Sequence, residues 1–253
     1  MKELTGIDEI YTLFEKRYEL SKLAKESGLD ETEFNKLSTR DRFVTLSYKL
    51  KDSSRVHLSS FFFGKLFELS QDIEALLNKI DCLIILGEFE EAFRFNCIGF
   101  ELYLEDHGID SSEVEKVLCY QKAIIYFSSE RLEAAESVCE ENIIKFDQKE
   151  SFVLLCAIFV AMKEYQKAIR VFTRYSHKFT DSYDFLTDVS ILLLTINKND
   201  KCSEFIVKLY DKDDNAKTKI STYLNNFYAT TKNKEMLKKY FKDEFPSVKI
   251  CNT

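Results

Sequence analysis

GEFEEAF, Gly87–Phe93, has two echoes further along the chain: ERLEAAE at Glu130–Glu136 and KEYQKAI at Lys163–Ile169. In each, an aromatic residue or leucine precedes an alanine by three positions at the start of an amphipathic run. The alanines are Ala92, Ala135 and Ala168. Stepping on by about one 34-residue unit reaches Cys202 in NDKCSEF and the neighbourhood of Met236 in NKEMLKK. A second small residue lies twelve positions before two of the alanines, Ala123 before Ala135 and Cys156 before Ala168. Two helices can cross at close range only where the side chains between their backbones are small. The spacing therefore predicts antiparallel helix hairpins stacked side by side.

Apolar residues recur at helical intervals through these units, as in Val117, Ala123, Ile124 and Phe127, or Phe152, Leu155, Cys156 and Phe159. Alternation of period two is absent. Breaks are expected at Gly28-Leu29-Asp30, between His107-Gly108 and Ser112, at Thr180-Asp181-Ser182, and from Asp211 to Asn215. Ahead of the repeats, longer helices are expected over about residues 7–26 and 38–62, with another beginning near Leu66. The chain reads as one all-α domain over residues 1–242. Its N-terminal helices fill 1–70, paired-helix repeats fill 71–242, and a tail occupies 243–253.

Composition agrees. The 253 residues include six glycines and one proline, Pro246, too few for a fold built on tight hairpins. No run of about 18 apolar residues occurs, and MKELTGIDEIY has no apolar signal core, so a soluble, intracellular chain is expected. The seven cysteines are an odd number without C-x-x-C spacing and read as buried thiols. A net charge of -7 offers no footprint for nucleic acid, and no membrane partner is expected.

Reactive chemistry is hard to find. His57, His107 and His177 stand far apart, outside metal-ligand spacings, and the glycines stand singly, so no phosphate loop forms. DKDDNAKTKIST opens like a calcium loop at Asp211, Asp213 and Asn215. It fails where Ala216 replaces the turn glycine and Thr222 the bidentate glutamate. No metal, cofactor or enzymatic activity is expected.

One stretch is richer. LSTRDRFVTLSYKLKDSSRVHLSS, Leu37–Ser60, carries Arg40, Arg42, Lys49, Lys51 and Arg55 in a chain of negative charge. Placed on one helix, Phe43, Leu46, Leu50, His57 and Phe61 share the core face. Arg42 and Lys49 then fall on one flank, and Arg40, Lys51 and Arg55 on the other. Such rows either hold an anion through charge-assisted hydrogen bonds or keep the helix solvated.

The first half of the chain resembles the 14-3-3 proteins in the order and spacing of KRY (Lys16–Tyr18), LSTRDRF…SYK ending at Lys49, SSRVHLSS (Ser53–Ser60) and Lys116-Val117; DIEALLNKID (Asp72–Asp81) comes early. The resemblance implies a helical, usually dimeric adaptor that binds phosphoserine or phosphothreonine peptides of partner proteins in a concave groove. Lys49 and Arg55 match the family's phosphate ligands on one helix, and Arg42 shares the flank of Lys49. Arg17 and Tyr18 would lie at the homodimer contact. The family's second arginine and its tyrosine fall on Tyr126–Ser129, leaving Arg131, one turn away, as a substitute. Lys49 and Arg55 are six residues apart and diverge by about 120° on a regular helix, so a bulge at Asp52-Ser53-Ser54 is required. The expected function is a signalling adaptor with weakened or altered phosphate dependence, cytoplasmic with the nucleus also open to it. The alternative is a tetratricopeptide-like scaffold subunit of a multiprotein complex, which rests on the alanine period.

Overall fold

A computed structural model describes residues 19–105 and 111–175, together with Thr218. Arg17, Tyr18, His107, His177, Cys202, Met236, the 211–222 segment apart from Thr218, and the 243–253 tail lie outside the described residues. Every regular element among those described is a helix, in agreement with the all-α expectation. In order they are α1 (Leu20–Glu26), α2 (Glu31–Lys36), α3 (Thr39–Asp52), α4 (Val56–Ser70), α5 (Ile73–Leu86), α6 (Phe89–Glu105), α7 (Ser111–Ser128), α8 (Leu132–Phe146), α9 (Lys149–Ala161) and α10 (Tyr165–Tyr175). The chain falls into two compact units, Met1–Arg131 and Leu132–Thr253.

In the first unit, α3 packs on α4, α4 on α5, α5 on α6 and α6 on α7, while α7 also touches α5. That is the neighbour-on-neighbour order of a stacked array. Its core holds Phe43, Leu46 and Leu50 from α3, Phe62, Phe63 and Leu66 from α4, Leu76 and Ile80 from α5, and Leu118 from α7. At Gly99 the next helix comes so near that a Cβ would stand 2.6 Å from Leu118 Cδ2. In the second unit α9 lies against both α8 and α10. Phe152, Leu155, Cys156 and Phe159 on its inner face are buried, as their spacing predicts.

The expected helix over Leu37–Ser60 is instead two helices. Ser53 and Ser54 form a sharp turn with Ser54 at φ 64°, and the Arg55 N–H donates back to the Leu50 carbonyl at 3.0 Å. This six-residue return bond closes α3 and reverses the chain into α4. The reversal moves His57 off the expected core face into solvent and leaves Phe61 half-buried. Leu66 lies inside α4, and the following helix begins at Ile73, where the Asp72 carboxylate accepts from the Glu74 N–H at 2.9 Å. The break at Gly28–Asp30 is present, with Gly28 at φ 78° and Asp30 capping α2.

The same turn recurs. Glu88 N–H donates to Leu83 O (2.9 Å), Arg131 N–H to Tyr126 O (2.9 Å) and Glu164 N–H to Phe159 O (2.8 Å), each beside a residue of positive φ: Gly87, Glu130 and Lys163. From Ser54 the steps between these residues are 33, 43 and 33. Burial follows the same steps. Ser47 and Ser59, Ile80 and Ala92, Ala123 and Ala135, and Cys156 and Ala168 are each twelve apart, and all eight are wholly buried. The repeats thus begin one unit earlier than the alanines indicate, with α3 and α4.

Candidate functional site

Helices α3, α5 and α7 all lie in the first unit, and one row of polar contacts links them. From α3, Arg40 donates to Asp72 Oδ2 at 3.0 Å, the Tyr48 hydroxyl to Glu74 Oε1 at 2.6 Å, and Lys51 Nζ to Asn78 Oδ1 at 3.1 Å and Asp81 Oδ2 at 2.9 Å. Asn78 Nδ2 donates in turn to the Tyr48 oxygen at 2.9 Å. From α7, the buried Gln121 amide donates to Asp81 Oδ1 at 2.7 Å and to the Leu77 carbonyl at 2.8 Å. Asp81 therefore accepts from helices on both sides of its own.

These contacts arise from position. Glu74, Asn78 and Asp81 follow one another by four and three residues, which places them in one stripe along α5. Tyr48 and Lys51, three apart on α3, face that stripe. Partial burial and the neighbouring Glu74 carboxylate push the Tyr48 phenol up to about 12, so it remains a proton donor throughout the physiological range.

The basic residues of Leu37–Ser60 divide accordingly. Arg40 and Lys51 are neutralised by α5. Arg55 sits at the N-cap of α4, exposed, with its guanidinium 3.5 Å from Glu26 on α1. Lys49 is half-exposed on α3 and meets no hydrogen-bonding or ionic partner among the described residues. Arg42 lies near the start of α3, half-exposed. Lys49 and Arg55 thus stand on separate helices, on opposite sides of the Ser53–Ser54 turn. Arg131 is placed elsewhere, in the turn after α7, where with Phe89, Glu88, Glu90, Glu91 and Ser129 it lines an open cleft beside the α5–α6 turn.

The residues that sequence reasoning missed are those of the α5 stripe. DIEALLNKID carried the signal: its acidic residues have Arg40 and Lys51 as opposite charges on a helix that the fold sets alongside.

Among the described residues no group of three His, Cys, Asp or Glu side chains is placed to hold a metal ion, and no helix is long and apolar enough to cross a membrane.

No family model matches the chain. The signal recognition particle subunit SRP72 of Dictyostelium discoideum is 24% identical to it over 204 residues. That match covers 77% of this chain but spans only 28% of the length of the relative.

Proposed function

We propose that this chain is a helical-repeat scaffold subunit of a multiprotein complex. The observation that carries this reading is a shared period: the buried pairs twelve residues apart, each with a small residue on its second helix, and the return-bond turns that lie between their members advance together by 33, 43 and 33 residues. Repeats of this kind bury one face against their neighbours and leave an extended surface for other proteins. Likeness to a signal recognition particle subunit supports a place in an assembly and makes that particle the first to examine. Tagged chain purified from its own cells should elute with stoichiometric partner proteins, well above its own 29.7 kDa. Elution as the isolated chain under gentle conditions rejects the reading.

A phosphopeptide adaptor is the second reading, favoured by Lys49, whose ammonium lacks an acceptor within the described chain. It requires Arg55 to exchange Glu26 for phosphate. Fluorescence polarisation with phosphorylated and unphosphorylated peptides tests it. Phosphate-independent binding, or binding indifferent to Lys49→Glu, removes it.

A further inference from the structure

Lys79, in the middle of α5, extends between α4 and α6. Its ammonium occupies a notch that exists because position 64 is glycine: a Cβ there would stand 2.8 Å from Lys79 Nζ. The ring of Phe95 on α6 faces it, with Nζ 4.4 Å from the ring centroid. An aromatic face stabilises a cation but accepts no ordinary hydrogen bond. No hydrogen-bond acceptor or ion-pair partner for the ammonium occurs among the described residues, and the Lys79 residue is partly buried.

The charges around it are already committed. On α4 Lys65 pairs with Glu68 one turn on, and on α6 Arg94 pairs with Glu91 at 3.1 Å while also lying over the Phe95 ring. Three cations therefore share a small face with two engaged carboxylates, a local positive balance in a chain of net charge -7. Burial pushes the Lys79 amine below the usual lysine range, more than Glu91 and Glu68 restore it.

We propose that the α4–α5–α6 face centred on Lys79 is a docking seat for an acidic segment of a protein partner. One partner carboxylate accepts from the Lys79 ammonium, and Lys65 and Arg94 attract the carboxylates beside it. The proposal rests on the scaffold reading and names the chemistry of one partner. Charge complementarity selects an acidic segment over a basic or apolar one, because only a carboxylate brings the Lys79 ammonium both an acceptor and an opposite charge.

Fluorescein-labelled octaglutamate, titrated by anisotropy against the full chain at low salt, provides the test. Binding should weaken about tenfold in Lys79→Met, as expected for a lost charge-assisted hydrogen bond. It should also weaken in Gly64→Ala, which keeps every charge but fills the notch, while circular dichroism reports the folded state of both. Lys25→Met, at the exposed end of α1, should bind as the parent does. Absence of octaglutamate binding, or binding by Lys79→Met or Gly64→Ala as tight as the parent's, overturns the seat. Neither result touches the scaffold reading, which co-elution with partners decides separately.

Discussion

The Ser59 hydroxyl donates to the Ser47 carbonyl at 2.7 Å, joining α4 to α3, and both residues are wholly buried. In the second unit the Cys156 thiol lies 3.9 Å from the Ala168 carbonyl at the equivalent register. A small side chain at each crossing lets the backbones approach, and a short donor uses the exposed carbonyl. Ser59→Ala should then cost about 1 kcal/mol, the worth of one intramolecular hydrogen bond, since alanine fills this position in the other units. Ser59→Leu should cost about 1–3 kcal/mol by overpacking. Urea midpoints at unchanged slope would measure both.

Asp81 accepts from Lys51 and Gln121 at once, so its removal should exceed the loss of either donor. We expect about 1–3 kcal/mol for Asp81→Ala, because the buried Gln121 amide loses one of its two acceptors. The Lys51–Asp81 pair alone should show a coupling of about 0.2–1 kcal/mol in a double-mutant cycle, since Asp81 is 43% exposed. A coupling that persists undiminished at high salt would contradict this assignment.

Tyr48 should ionise late. Its phenol is pushed from 10.0 to about 12 in the folded chain, so its contribution to the α3–α5 contact is complete below pH 10 and lost as pH rises through about 12. The absorbance titration at 295 nm, parent minus Tyr48→Phe, should show that late midpoint. A difference curve centred at 10 would mean that Tyr48 is solvated and not bound to Glu74.

Thiol chemistry should separate the cysteines by position. Cys139 is buried and its thiol is pushed up to about 12 by desolvation, whereas Cys97 is exposed. Iodoacetamide at pH 8 should label Cys97 and spare Cys139 until the chain unfolds, as peptide mass spectrometry would show.

Much of the repeat was legible before the structure. Ala92 and Ala168 mark second helices because residues at a close crossing have little freedom in size, and Ala135 repeats their setting in the sequence, so the spacing is visible in a single chain. The first unit escaped notice because serine stands for alanine at Ser59, and because Ser54 reverses the chain without glycine. A positive φ in serine, Glu130 or Lys163 leaves no compositional trace; only the return bond to the preceding helix reveals it.

The candidate site was less legible. Along Leu37–Ser60 the sequence alone established a basic, amphipathic segment, and periodicity alone determined helices with small residues at their crossings. Tertiary structure decided which charges remain available. It set α5 beside α3, so that Asp72 and Asp81 neutralise Arg40 and Lys51, placed Glu26 against Arg55, and left Lys49 and Lys79 without acceptors among the described residues. Helical periodicity is a local property of the chain, whereas the partner of a charge depends on which distant helix is packed next to it.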